Sequence, residues 1–246
     1  MTRLVDELRD LALAEAGQLP LHVAPVSPAE LVRGVLAGFS AQALKIHEPK
    51  ASDITTAQLN WLRNHLNLFE SKLYAANWLT ATGTNHYSHY VDVDSFVDQH
   101  WIVEFTKQID GYRLSSYFSK DRNGKIKWEP IWDWNLSFGN ADYADGWNTT
   151  SFYYSNQGEN AHIWIRRMIT GTTSATTTSG DPDFNQKIID RWSVLRTNVL
   201  NGPRVAARVQ ELADYLAEAA ERDFARFPRL GTYIWPNPSI YSTPTT

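Results

Sequence analysis

The apolar residues of this chain recur mostly at the three- and four-residue spacing of amphipathic helices. Thr55 and Gln58 form a capping box that predicts the start of the clearest helix. A second helix is expected after Asp92, which can cap it, and should end near Gln108. Pro182 marks the start of a third helix, and a fourth follows it. The four apolar faces are Leu59, Leu62, Leu66, Phe69 and Leu73; Phe96, Val97, Trp101, Ile102 and Phe105; Phe184, Ile188, Trp192, Leu195 and Val199; and Val205, Val209, Leu212, Leu216 and Phe224.

The central part of the chain reads as a β-hairpin with an acidic residue near each end. Residues 112–120 and 126–134 are rich in aromatic and branched side chains, and the sequence DRNG at 121–124 predicts the turn between them. A hairpin that closes there brings Asp110 and Asp133 to the same end. Two interpretations stay open at this point. The pair is either two solvated aspartates at strand ends, or a general base beside a metal ligand.

Composition and charge narrow the class of protein. The net charge of -4, from 23 basic and 27 acidic side chains, argues against nucleic acid as a partner, because phosphate binding needs a basic patch. No apolar run is long enough to predict a membrane span. The first seven residues alternate charges, so the sequence predicts no secretory signal and, as encoded, a cytoplasmic location. The absence of cysteine excludes disulfides, thiolate metal sites and a cysteine nucleophile.

The aromatic content is high, with ten Trp, eleven Tyr and ten Phe. These rings predict either a core built from large side chains or a cleft lined with them, which would suit a sugar or a nucleobase. A carbohydrate-active protein is therefore one possible function, with Asp110 and Asp133 as the two carboxylic acids.

The first 43 residues differ from the rest, being rich in Ala, Leu, Val and Glu with one aromatic residue, Phe39. Their spacing predicts two short helices joined by an extended linker, LPLHVAPV. The segment RLVDELRDLALAEAGQLPLHVAPVSPAELVRGVLAGFSAQA resembles the end of the dimerisation helix of bacterial sensor histidine kinases and the linker that follows it. The phosphoacceptor histidine and the ATP-binding boxes of that family are absent from this chain. We therefore interpret residues 1–43 as a separate unit without histidine kinase activity.

Residues 45–238 resemble the spore-coat protein H (CotH) kinase family, an atypical group related to protein kinases. The resemblance rests on four ordered blocks: ITTAQLNWLRNHLNLFESKLY, YVDVDSFVDQHWIVEFTKQIDGYRLSSYFSKDRNGKIKWEPIWDWNLSFGNADY, DFNQKIIDRWSVLR and ERDFARFPRLGTYIWPN. It implies an α+β, mainly helical fold with a central hairpin in a kinase-like C-terminal lobe, and leaves residues 239–246 as a flexible tail. It also implies transfer of the γ-phosphate of ATP to serine on a protein substrate.

The same resemblance assigns roles to individual residues. Asp110 matches the catalytic aspartate that accepts the proton of the substrate hydroxyl, and Asp133 matches the aspartate that binds Mg²⁺ or Mn²⁺. Asn135 is a further candidate metal ligand by its proximity to Asp133. Two positions depart from the family pattern: Val103-Glu104 replaces Asn-Glu, and Gln108 replaces an asparagine two residues before the catalytic aspartate.

The lobe that anchors ATP in this family precedes the block near Lys45, and here residues 1–43 occupy that place. No G-x-G-x-x-G pattern occurs, and neither Lys45 nor Lys50 has the strand context of an ATP-anchoring lysine. The sequence therefore predicts a truncated protein serine kinase of reduced or no activity. The alternative is a non-catalytic module, a pseudokinase or coat-like scaffold that binds other proteins.

Overall fold

The computed structural model of this protein describes residues 44–50, 52–155, 163–171 and 179–242. The helices and linker predicted for residues 1–43 lie outside these ranges, as do residues 172–178 and the last four residues of the predicted tail.

Within these ranges the chain forms five α-helices and one two-stranded antiparallel hairpin, so the prediction of a mainly helical α+β fold is confirmed. Short 3₁₀ turns occur in the connections between them. The elements are α1, Thr56–Leu73; α2, Val93–Thr106; β1, Phe118–Ser119; β2, Lys127–Trp128; α3, Ile163–Thr170; α4, Pro182–Thr197; and α5, Gly202–Arg226.

The first two helices begin at the capping residues that the sequence predicts. At α1 the hydroxyl of Thr55 accepts the main-chain N–H of Gln58, and the side chain of Gln58 accepts the main-chain N–H of Thr55. At α2 the carboxylate of Asp92 accepts the N–H of Ser95 at 3.1 Å. This helix ends at Thr106, two residues before the predicted end.

The core is largely aromatic, as the first of the two composition-based interpretations predicts. Trp101 on α2 stacks on Trp192 of α4 with ring centroids 4.6 Å apart, and its indole N–H donates to the carbonyl of Ile188 at 2.8 Å. Phe96 of α2 packs against Trp128 of β2 with ring centroids 5.1 Å apart. These contacts fix α2 between α4 on one side and the hairpin on the other.

The hairpin is shorter than the sequence predicts. Its register pairs Phe118 with Trp128 and Ser119 with Lys127, and each strand contains two residues. The first limb is shortened because residues 109–114 form a turn instead of an extended strand. The second limb stops before Pro130, which has no N–H to donate to a strand ladder.

The fourth predicted helix, α5, is present, but its apolar face is not part of the core. None of the α5 residues is buried against the rest of the described chain. Val209 is 62% exposed and Leu216 is 53% exposed, although both lie on the predicted apolar face. Across the described ranges, no helix combines the length and the hydropathy needed to cross a membrane.

The start of α4 depends on a buried carboxylate. One oxygen of Asp181 accepts the N–H groups of Asp183 and Phe184 at 2.9 and 3.3 Å, and caps the helix. The other oxygen accepts the hydroxyl of the buried Tyr87 at 2.5 Å. Asp181 therefore links the helix start to the segment before α2.

We predict that Asp181→Ala lowers the free energy of unfolding by about 2–4 kcal/mol, because it removes a helix cap and leaves a buried hydroxyl without its acceptor. Urea denaturation followed by circular dichroism measures this change. Asp183→Ala is the matched control, since Asp183 is exposed in the same helical turn. Equal losses in the two variants would contradict the role given to Asp181.

Candidate functional site

Asp110 lies in the turn that follows α2. Its main-chain carbonyl accepts the N–H groups of Arg113, Leu114 and Ser115 at 2.9, 3.0 and 3.1 Å, so this one oxygen closes the turn. The residue is 8% exposed, and its carboxylate accepts a hydrogen bond from the Arg113 guanidinium at 3.1 Å. The side chain of Arg113 is 40% exposed, so solvent reaches this ion pair.

Asp133 lies on the opposite limb, at the start of a one-turn 3₁₀ helix, Trp134–Leu136. Its backbone is left-handed, with φ 60 and ψ 56, a conformation that aspartate adopts more readily than most residues. The residue is exposed, and one carboxylate oxygen lies 3.5 Å from the hydroxyl of Ser115. Asp133 therefore presents a carboxylate to solvent beside the turn that contains Asp110.

The buried side chain of Gln108 contacts the main chain of both aspartates. Its amide nitrogen donates to the carbonyl of Asp133 at 2.6 Å, and its amide oxygen accepts the N–H of Asp110 at 3.3 Å. The structure thus brings Asp110 and Asp133 together, although the strands of the hairpin are too short to do so by their pairing alone.

Asn135 lies beside Asp133, as its position in the sequence predicts. With its amide nitrogen turned toward Asp133, it donates to the carboxylate at 2.9 Å and to the main-chain carbonyl at 3.3 Å. Asn140 in turn donates to the main-chain carbonyl of Asn135 at 2.7 Å. These contacts hold the segment after Asp133 in place.

The oxygen atoms at this position are of the type that binds a hard cation. Mg²⁺ prefers carboxylate oxygens and usually binds through one or two carboxylates together with substrate phosphates, and not in a cage made by the protein. The described residues contain no group of three or more His, Cys, Asp or Glu side chains arranged to hold a metal. Asp133, with Asn135 beside it, therefore offers oxygen atoms of the type that Mg²⁺ takes when a nucleotide supplies the other ligands.

Sequence reasoning did not predict a buried polar network behind the turn. The hydroxyl of Tyr112 donates to the carboxylate of Glu104 at 2.8 Å and lies 2.8 Å from Nδ1 of His100. Since the one hydroxyl proton goes to Glu104, the His100 tautomer that fits this network carries its proton on Nδ1. His100 and Tyr112 are both almost fully buried.

The network also connects to the loop before α3. The Glu104 carboxylate accepts the main-chain N–H groups of Tyr153 and Tyr154, and the hydroxyl of Tyr153 donates to the carbonyl of Ile109 at 2.8 Å. Ile109 directly precedes Asp110, so Glu104 is linked through Tyr153 to the backbone beside the candidate site. The sequence signal was the glutamate that follows Val103, which matches the family pattern, but sequence alone did not show what it contacts.

Burial shifts the pKa values of His100 and Glu104 in opposite directions. Burial lowers the pKa of His100 to about 3, so its ring is neutral near pH 7. Burial raises the pKa of Glu104, and hydrogen bonds from Tyr153, Tyr112 and Tyr154 partly oppose that rise.

Several large apolar side chains near the two aspartates are exposed. Ile131 and Trp132, which directly precede Asp133, are 56% and 57% exposed, and Leu114 is 56% exposed. The Trp132 ring contacts Tyr117 with centroids 5.9 Å apart. The candidate site therefore lies beside an apolar surface on the outside of the domain.

We predict that His100 makes the protein less stable in mild acid. Its folded pKa lies below the unfolded value, so its contribution to stability is complete above about pH 6.5 and falls as the pH drops toward 3. From pH 7 to pH 4.5, wild type should lose about 2 kcal/mol more than His100→Asn, whose amide can still donate to Tyr112. Urea unfolding at several pH values measures both slopes. Glu104 opposes this loss of stability in both proteins, so its effect cancels from the difference between the two slopes. Equal slopes would therefore contradict the prediction.

A comparison against protein families gives a match over most of the chain. The chain matches the family model described as CotH kinase protein over residues 35–241, a range that contains all of the candidate site. A search of curated proteins found no match, and neither did a search of solved structures. Because the family match covers most of the sequence, this chain belongs to the CotH kinase family.

Proposed function

We propose that this protein transfers the γ-phosphoryl group of ATP to a serine hydroxyl of a protein substrate, using a kinase-like C-terminal lobe over residues 45–238. The observation that carries the proposal is the convergence of Asp110 and Asp133 on the side chain of Gln108. Family membership supports the reaction class. The sequence-based assignment of one base and one metal ligand supports the two roles.

In this proposal Asp110 is the general base. Its carboxylate accepts the proton of the serine hydroxyl as the serine oxygen forms a bond to the γ-phosphorus and the bond from that phosphorus to the bridging oxygen of ADP breaks. The turn that its own carbonyl closes limits the movement of Asp110, and the hydrogen bond from Arg113 orients the carboxylate. Positioning of this kind supplies much of the catalysis in phosphoryl transfer, because the protein has little covalent chemistry to perform.

Asp133 is proposed as the ligand of Mg²⁺, with Asn135 beside it as a further candidate. A bound Mg²⁺ would neutralise charge on the phosphates of ATP. The residues of the chain keep the carboxylate of Asp133 exposed and oriented: Gln108 binds its main-chain carbonyl, and the amide of Asn135 donates to its side chain. This proposal extends to the cofactors, which would be ATP with Mg²⁺ or Mn²⁺.

We predict that Asp110→Asn lowers the rate of phosphoryl transfer by about 100-fold or more, because an amide cannot accept the serine proton.

Asp133→Asn should raise the Mg²⁺ concentration needed for half-maximal activity. Incorporation of labelled phosphate from ATP into a generic protein substrate measures both effects across a Mg²⁺ series.

Asp121→Asn is the matched control, since Asp121 is an exposed aspartate at the tip of the same hairpin. Full activity in Asp110→Asn would exclude the base role, and an unchanged Mg²⁺ dependence in Asp133→Asn would exclude the metal role. If wild type transfers no phosphate and binds no Mg-ATP, the proposal of a kinase is wrong.

A second candidate function, a non-catalytic scaffold, is favoured by a different observation. The helix α5 keeps an apolar face in solvent, with Val209, Leu212 and Leu216 all more than 40% exposed. Such a face is typical of a surface that binds another protein. Mg-ATP distinguishes the two functions, because a nucleotide that binds the folded protein raises its melting temperature and a scaffold that lacks a nucleotide site shows no such rise.

A further inference from the structure

Gln108 is a buried polar residue that connects two segments of the chain at the candidate site. Its side chain is 0% exposed. The amide nitrogen and the amide oxygen form hydrogen bonds with the main chain of two different segments, the nitrogen with Asp133 and the oxygen with Asp110. The contacts fix the orientation of the amide, because turning it over would place its nitrogen against the N–H of Asp110 and its oxygen against the carbonyl of Asp133.

The backbone on both sides explains why such a connection is needed. Lys107 adopts a left-handed conformation with φ 52 that ends α2, so Gln108 is anchored to the end of a packed helix. Asp133 is left-handed as well, and such a conformation persists when the surrounding structure holds it. The strand pairing of the hairpin ends at Phe118 and Trp128, well before Asp133. Pairing between the strands therefore does not set the position of Asp133.

We propose that Gln108 is a positioning residue: it sets the distance between the base Asp110 and the metal ligand Asp133, and does not itself bind the metal. This inference rests on the function proposed above. An asparagine is one methylene shorter, so in this backbone its amide could not reach both main-chain partners.

An amide at this position could either bind the metal or position the two aspartates, and substitutions of Gln108 distinguish the two roles. If Gln108 were a metal ligand, Gln108→Asn would keep a ligand oxygen of the same chemical type. If Gln108 positions the aspartates, Gln108→Asn breaks the connection just as the apolar replacement Gln108→Met does. Residues that orient a metal ligand without touching the metal typically change metal affinity by about 10–100-fold when they are replaced.

The test is a titration of the intact chain with Mn²⁺, in which electron paramagnetic resonance measures the free ion. We expect Gln108→Met and Gln108→Asn each to weaken Mn²⁺ binding by about tenfold or more, approaching the loss expected for Asp133→Asn. The matched control is Gln99→Met. Gln99 is also a buried glutamine, on α2, but its one long hydrogen bond, of 3.5 Å, goes to the carbonyl of Gly111. That variant should lose thermal stability while its Mn²⁺ affinity changes less than about twofold.

The possible failures are distinguishable. If Asp133→Asn weakens Mn²⁺ binding but both Gln108 variants bind as wild type does, the positioning role is wrong and the proposed metal site stands. If Gln108→Asn retains Mn²⁺ affinity and Gln108→Met loses it, Gln108 is a ligand and the inference is likewise overturned. If Asp133→Asn binds Mn²⁺ as wild type does, the metal role in the proposed function fails, and the inference fails with it.

Discussion

The structure around the candidate site depends on how α2 ends. Lys107 turns the backbone left-handed, and the carbonyl of Asp110 then accepts three successive N–H groups, so residues 107–115 form one compact turn. This turn has two consequences. It removes from the hairpin most of the strand that the sequence predicts, and it directs the buried side chain of Gln108 toward the second limb. The candidate site is therefore built at a helix end and not at the end of a strand ladder.

A rigid aromatic core supports this turn. Trp101 and Trp192 fix α2 against α4, and Phe96 packs on Trp128 of the hairpin, so the helix that carries Gln108 at its end has little freedom to move. Glu104 lies in the same core, where its carboxylate accepts two main-chain N–H groups and a tyrosine hydroxyl. Burying a carboxylate is costly unless its hydrogen bonds are made, so this network ties the turn to one particular packing of the core.

The sequence predicted the elements that local rules control. Thr55 with Gln58, and Asp92, mark helix starts through contacts within three residues, which is why these predictions are confirmed. The extent of the hairpin and the partners of Glu104 depend on contacts between distant segments, such as that with Tyr153, and single-sequence patterns do not contain them. The proximity of Asp110 and Asp133 was predicted from strand register, whereas in the structure a side chain, Gln108, brings them together.

The conformation of Asp133 determines how its carboxylate is presented to solvent. A left-handed residue other than glycine carries a conformational cost, and here two side chains, those of Gln108 and Asn135, hold it in place. The carboxylate that they present is exposed, so it adds little to the core. In the proposed function a cation and a nucleotide would use this arrangement directly, because they need an oriented carboxylate that solvent reaches.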